Sequence, residues 1–156
     1  MAATSMTTYL WFDNAALEAA GFYVNLFPGS RMGEVSYYQA DTEFQPSGSV
    51  LTVEFELFGQ PFAGLNGGPQ FTHSEAVSFQ VMCETQEDVD RIWGAIIANG
   101  GEESMCGWCK DKWGISWQVI PVALDRALKG LDGYDSDYAF RAMMQMSRII
   151  VADLRP

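Results

Sequence analysis

A chain of 156 residues, 48% hydrophobic and 13% aromatic, is long enough to bury a core without disulfide staples and too apolar for disorder. Its 9 basic and 20 acidic side chains give a net charge of −11, which argues against a nucleic-acid backbone or an anionic membrane as partner. No apolar run approaches the roughly 18 residues that span a bilayer, and Met1 to Thr8 has neither the basic start nor the apolar stretch of a signal peptide, so the chain reads as cytoplasmic.

Thr7 to Phe12 reads as a short apolar strand, after which Asp13 or Asn14 supplies the N-cap of a helix from Ala15 to about Phe27. Leu17, Ala20, Val24 and Phe27 fall near helical spacing on that helix, and Pro28-Gly29 ends it. Two strands follow, Arg31 to Ala40 and Ser49 to Phe58, separated by a loop of turn formers from Asp41 to Gly48. In the second strand Leu51, Val53, Phe55 and Leu57 share one face, and Thr52, Glu54 and Glu56 share the other. Gly59-Gln60 predicts a tight hairpin turn into a strand from Pro61 to Asn66.

After a linker from Gly67-Gly68-Pro69 to His73-Ser74 the plan repeats. Ala76 to Cys83 is a strand, and Thr85 caps a helix whose first turn holds Glu87 and Asp88. Its apolar stripe is Val89, Ile92, Trp93, Ile96 and Ile97, and Asn99-Gly100-Gly101 stops it. Gly100 to Pro121 then reads as a hairpin: an extended run from Glu102 to Trp108, a charged turn at Lys110-Asp111-Lys112, and a strand from Trp113 to Ile120. Along that strand Ser116, Gln118 and Ile120 share one face, with Ile115, Trp117 and Val119 on the other. Each half is thus strand, helix, strands, with a period of about 70 residues. The second half is one strand short unless Gly107 breaks the run from Glu102 to Asp111 into a bent pair. Helices over Val122 to Leu131 and Asp137 to Ser147 follow, and Ile149 to Leu154 reads as the end of the latter or a short strand. Their aromatic and methionine stripe reads as a packing or dimer surface.

Cys83, Cys106 and Cys109 are an odd number and make no secreted disulfide framework. Cys106 and Cys109 could form a redox pair, or half a zinc site completed by Cys83 and His73, or simply be two strand cysteines. A hairpin setting favours the last, because redox pairs of this spacing sit where a strand opens a helix.

The stretches Leu10-Trp11-Phe12-Asp13, Phe22-Tyr23 with Phe27, Thr52-Val53-Glu54-Phe55, Gly59-Gln60-Pro61-Phe62 with Leu65-Asn66-Gly67-Gly68-Pro69, and Cys106-Gly107-Trp108 through Trp117-Gln118-Val119-Ile120-Pro121 together resemble the PhnB-like family. That family carries the label 3-demethylubiquinone-9 3-methyltransferase and sits within the glyoxalase, bleomycin-resistance and extradiol-dioxygenase superfamily, the vicinal oxygen chelate proteins. The resemblance covers nearly the whole chain. It implies an α+β fold of paired βαβββ modules forming an open barrel: residues 1–70 as the first module, 71–121 as the second, and 122–156 as a C-terminal helical extension. It also implies a homodimer or a module pair closing the cavity.

Enzymes of the superfamily hold a divalent metal with His and Glu from the first and last strands of the modules. Those positions fall near Thr8, Ala63, Ser78 and Gln118, of which only Gln118 offers even a carbonyl oxygen. The resemblance therefore implies no usual metal site and no resident cofactor, a divalent metal staying open only through other carboxylates. Glu54, on the cavity face, and Glu75, at the head of a strand that enters it, are the candidate catalytic residues, as ligand or as general base raised in pKa by an apolar, tryptophan-lined pocket. The plain alternative for each is a carboxylate facing solvent or a Lys or Arg partner. His73, the only histidine, lies in the linker and cannot reproduce a His/Glu quartet. Trp108, Phe62, Gln118, Met82 and Ser116 are the candidate ligand-binding residues.

Three functions follow as expectations: a binding protein for a small organic molecule, a metal-dependent lyase, isomerase or dioxygenase-like enzyme, and a dimer that acts through interaction alone. Methyl transfer is discounted, because Gly64 to Gly68 leads into Pro69 and a linker rather than a helix, leaving no Gly-rich turn for the methyl donor.

Overall fold

In a computed structural model residues 4–156 are described. The chain divides into two compact units, one ending at Thr72 and the other running from His73 to Pro156. The fold is α+β, with the same four-stranded module in each unit.

The first unit contains β1 (Thr8–Phe12), α1 (Ala16–Leu26), β2 (Arg31–Tyr37), β3 (Val50–Leu57) and β4 (Gln60–Asn66). Its sheet has the order β1-β4-β3-β2, with β1 parallel to β4 and the other pairs antiparallel. The hairpin between β3 and β4 turns at Phe58-Gly59, one residue earlier than the sequence predicts. Both residues have positive φ, 49° and 78°, as a two-residue turn matched to strand twist requires.

Helix α1 lies closer to the sheet than its sequence suggests, and it is rotated. Ala16, Ala19, Ala20, Tyr23, Leu26 and the following Phe27 are buried, whereas Leu17 is exposed and Val24 only half-buried. The cause is close packing: a Cβ on Gly64 of β4 would stand 3.0 Å from the Ala16 Cβ, so the small residues must face inward. Neither Asp13 nor Asn14 caps the helix. Ala15 is the N-cap, and the free Ala16 N–H donates instead to Asn66 Oδ1 at the end of β4, at 2.9 Å.

The second unit contains β5 (Ser78–Cys83), α2 (Gln86–Ala98), β6 (Glu102–Glu103), β7 (Trp108–Lys110) and β8 (Ser116–Pro121), in the sheet order β5-β8-β7-β6. The strand that the sequence left in doubt is present. Cys106 and Gly107, at φ 59° and 84°, break the run after Glu103 into β6 and β7. Thr85 caps α2 as predicted, accepting from Asp88 N–H, and the helix closes with Gly101 N–H to Ile96 O and Gly100 N–H to Ile97 O, both 3.0 Å. Val89, Ile92, Trp93 and Ile96 pack against the face of the sheet that carries Val81, Cys109, Trp117 and Val119.

Beyond β8 come α3 (Val122–Leu128), α4 (Ser136–Met143) and a single 3₁₀ turn, Val151–Leu154, in place of the predicted helix end or strand. They build a second small core of Leu124, Ala127, Ala139, Ile149 and Leu154 around Ile120. Backbone bonds tie this segment to the β6–β7 bend, Cys106 N–H to Met146 O and Gly107 N–H to Ser147 O, each 2.7 Å. No helix among the described residues is long and apolar enough to cross a membrane.

Candidate functional site

The register of the second sheet decides which side chains meet. Ser78, Ser116, Lys110 and Glu102 stand abreast across β5, β8, β7 and β6; Gln80, Gln118 and Trp108 form the next row, and Met82 stands beside Ile120. All of these lie on the face away from α2, because the alternate residues carry the α2 core. Gln118 is held at both ends of its amide: Nε2 donates to Ser78 Oγ at 2.8 Å, and Oε1 accepts from Gln80 Nε2 at 3.3 Å.

Over this face lies a pocket of about 250 Å³, with Met82, Trp108 and Gln118 on the sheet side and Leu124, Leu128 and Met143 on the other. A smaller pocket of about 130 Å³ lies on the other side of Trp108, lined by Ser116, Lys110, Glu75, Glu102 and Glu103. The first unit has its own cleft, about 300 Å³, on the face of its sheet away from α1, where Glu54 stands with Tyr9 and the Arg31–Glu56 ion pair (Nη2 to Oε2, 2.7 Å).

The structure thus brings Met82, Trp108, Gln118, Ser116 and Glu75 together in one unit and places Glu54 and Phe62 in the other. Phe62 is buried and stacks on Phe55 with ring centroids 5.4 Å apart, beside Tyr23 of α1. Glu75 is 63% exposed in its side chain and forms an ion pair with Lys110. Its carboxyl is held below the ordinary range by the hydrogen bond from Lys110, then by one from its own backbone and by the Lys110 charge. That shift runs opposite to the upward one a general base in an apolar pocket needs, and the ion pair with Lys110 is the arrangement of the plain alternative. Lys110 itself is raised, first by its hydrogen bond to Glu75.

Asp111, in the turn that the sequence marks as charged, is buried. It is only 3% exposed; Oδ1 accepts from the N–H groups of Trp113 and Ile115, each at 3.0 Å, and Oδ2 accepts from Trp117 Nε1 at 2.9 Å. The carboxylate is the brace of the β7–β8 turn.

The cysteines are free. Cys109 faces α2 and its thiol is pushed up to about 12, by burial first and then by Asp111 and Glu103. Burial, with Asp88 adding and Arg91 opposing, lifts Cys83 to about 11. Such thiols are weak nucleophiles and weak metal ligands at neutral pH. Among the described residues no three His, Cys, Asp or Glu side chains stand together to hold a metal. The positions implied for a metal fit poorly as well. Thr8 pairs with Phe62, so the cavity face of β1 presents Tyr9, opposite Ala63 and Glu54, while Ser78 and Gln118 bond to each other.

Sequence reasoning passed over Lys110, Glu102, Leu124, Leu128 and Met143. For Lys110 a signal existed: it follows Trp108 by two residues, the strand period, so both face the same way.

The 3-demethylubiquinone-9 3-methyltransferase family model matches residues 4–120. Among solved structures, a PhnB protein of Bacillus cereus, described as a 3-demethylubiquinone-9 3-methyltransferase, is 32% identical with a TM-score of 0.68, over 76% of this chain and 100% of that one. Protein PA1353 of Pseudomonas aeruginosa (16% identity, TM-score 0.55, 76% of this chain and 98% of that one) shares the fold. So does FosX of Listeria monocytogenes, a fosfomycin resistance protein in complex with Mn(II) and sulfate (13% identity, TM-score 0.54, 83% and 98%). No curated protein matches the chain. A family match over three-quarters of the sequence, on two βαβββ modules of the same strand order, makes this chain a member of the PhnB-like, 3-demethylubiquinone-9 3-methyltransferase family.

Proposed function

We propose that the second unit binds a small organic molecule in the pocket beside Trp108 and uses no His/Glu metal site. The observation that carries this reading is the composition of that pocket: an indole, two thioethers, a thiol and three branched aliphatic side chains around the bonded amides of Gln80 and Gln118, with the Asp125 carboxylate among the lining residues. Ligand sites have this character, mostly apolar with a few oriented polar groups. At about 250 Å³ it lies just below the roughly 300–1,000 Å³ usual for drug-sized ligands, so the occupant is small. Its outer wall comes from α3 and α4, beyond the residues 4–120 that match the family model, with Leu124, Leu128 and Met143 placed to contact the ligand's apolar body.

A metal-dependent lyase, isomerase or dioxygenase has less support, since Glu75 is tied to Lys110 and Glu54 stands without a second carboxylate or imidazole in its cleft except Glu56, itself paired with Arg31. Methyl transfer gains no support from the sheets, whose only parallel pair in each unit, among the described residues, is first strand with last. Association of two chains is part of the reading, supported by Phe140 and Met144, exposed one turn apart in the C-terminal segment, and light scattering measures it.

A thermal-shift screen of aromatic and peptide-like small molecules should find stabilisers, and Leu128→Trp, which fills the pocket, should abolish their effect. A screen without stabilisers, or an unchanged shift in the Leu128→Trp protein, would overturn the reading. Titration with zinc, nickel, manganese and iron(II) should give no stoichiometric binding; one metal per chain, lost on Glu54→Gln, would restore the enzyme.

A further inference from the structure

The smaller pocket beside Trp108 contains an unmet hydrogen-bonding demand. Ser116 is 2% exposed and lines that pocket, yet its Oγ has no partner among the described residues. An orphaned buried hydroxyl is costly, and natural proteins retain one where something else completes it.

The charge around that hydroxyl is one-sided. Glu75, Glu102 and Glu103 line the same pocket against a single ammonium, Lys110. Glu103 accepts at Oε1 from the Trp93 indole N–H at 3.0 Å, Glu75 engages Lys110, and Glu102, in register beside Lys110, adds its charge around the same ammonium, so three carboxylates face one cation. Trp108 lines both this pocket and the apolar one, and an indole is a side chain that attracts cations.

We propose that this pocket is an ammonium subsite, so that the ligand of the second unit is a primary amine with an apolar body: the body against Met82, Leu128 and Met143, the ammonium past Trp108 at Ser116 Oγ and Glu102. The hydroxyl oxygen accepts one N–H, the carboxylate supplies the counter-charge, and the indole covers the remaining side. An anionic head group is excluded by the carboxylate surplus, and a neutral one forgoes it. This inference rests on the binding reading above and adds to it the chemistry of one end of the ligand.

Three probes of equal length separate the two claims: phenylbutylamine, phenylbutanol and phenylbutanoate, each titrated against the full chain and followed by tryptophan fluorescence and by the Trp108 indole resonance. The amine should bind about tenfold more tightly than the alcohol, with the margin shrinking as salt rises, and the acid should bind weakest. Ser116→Ala and Glu102→Gln should each weaken the amine roughly five- to tenfold and leave the alcohol unchanged. Ser116→Ala should also raise the melting temperature, because it removes an unsatisfied buried hydroxyl, so its loss of affinity cannot be a loss of fold. Equal binding of all three probes, or an amine affinity indifferent to both substitutions, would overturn the subsite and leave the pocket standing. Failure of every probe to bind would overturn both.

Discussion

The two units share one topology and are fixed by different chemistry. In the first, long strands β2 and β3 carry the sheet, and the neutral side chain of Asn66 knits three elements: Oδ1 accepts from Ala16 N–H at the start of α1, Nδ2 donates to Val50 O at 3.0 Å, and its backbone O accepts from the Tyr38 hydroxyl at 2.6 Å. In the second, β6 and β7 are two and three residues long, and a buried carboxylate, Asp111, does the corresponding work within a five-residue turn. A repeated fold thus needs only its hydrophobic pattern repeated. The polar groups that close each copy are free to differ, and in the second copy, which spends fewer residues on strands, the α3–α4 segment packs on the sheet and walls its pocket.

Asp111→Ala gives the sharpest break of this comparison. It strands two backbone N–H groups and an indole N–H that a charged acceptor now satisfies, and should cost about 3–5 kcal/mol in urea denaturation. The counterpart, Asn66→Ala, loses two neutral bonds and should cost about 3 kcal/mol. Equal losses would mean that the charge on Asp111 adds nothing and that the two closures are equivalent.

Glycines extend the contrast. Gly107 has φ 84°, and a Cβ there would stand 2.7 Å from Ile120 Cδ1 and 3.1 Å from Ile149 Cγ1. Gly59, in the first unit's hairpin, has φ 78° but nothing within 4 Å of the added carbon. Gly107→Ala should therefore cost about 2 kcal/mol, from backbone strain and overpacking together, and Gly59→Ala about 1 kcal/mol from strain alone. Matching values in thermal denaturation would show that the C-terminal segment yields to Gly107 rather than resisting it.

What the sequence disclosed and what it withheld divide along the same physical line. Period-two and period-3.6 patterns are local, so the two strand-helix halves, the Thr85 cap and the shared face of Ser116 and Gln118 were legible, and the break at Gly107 stood as an open alternative. The rotation of α1 was not, because it depends on Gly64 meeting Ala16 across 48 positions of chain. Nor was its cap, supplied by Asn66 from 50 residues away. At the candidate site, alternation placed Ser116, Gln118 and Ile120 on one face of β8, whereas Trp108 and Met82 join that face through the register of β7 and β5, and the wall formed by Leu128 and Met143 depends on where two short helices fold back. Glu75 was visible as a carboxylate; that Lys110 would claim it required the register of three strands.

The smallest expected effect is electrostatic and tests that last contact. Glu75 titrates below its ordinary value, so its contribution to stability is present above the unfolded-state carboxylate pKa and is lost as pH falls through the lowered folded value. Lys110 is raised, so its contribution is present below the unfolded-state lysine pKa and is lost as pH rises through the raised folded value. Across neutral pH the pair is intact, but both groups are open to solvent and salt, and the melting temperature should barely move in Lys110→Gln. The local signal should be plain: carbon-detected NMR should show the Glu75 carboxyl returning upward toward an ordinary glutamate in Lys110→Gln, and staying lowered in Arg31→Gln, which removes the first unit's Arg31–Glu56 pair instead. If Glu75 titrates identically with and without Lys110, the pair is not closed in solution. Lys110 would then stand free beside Ser116 and oppose an incoming ammonium, so the same titration that removes this ion pair would also turn the preference of the smaller pocket away from amines.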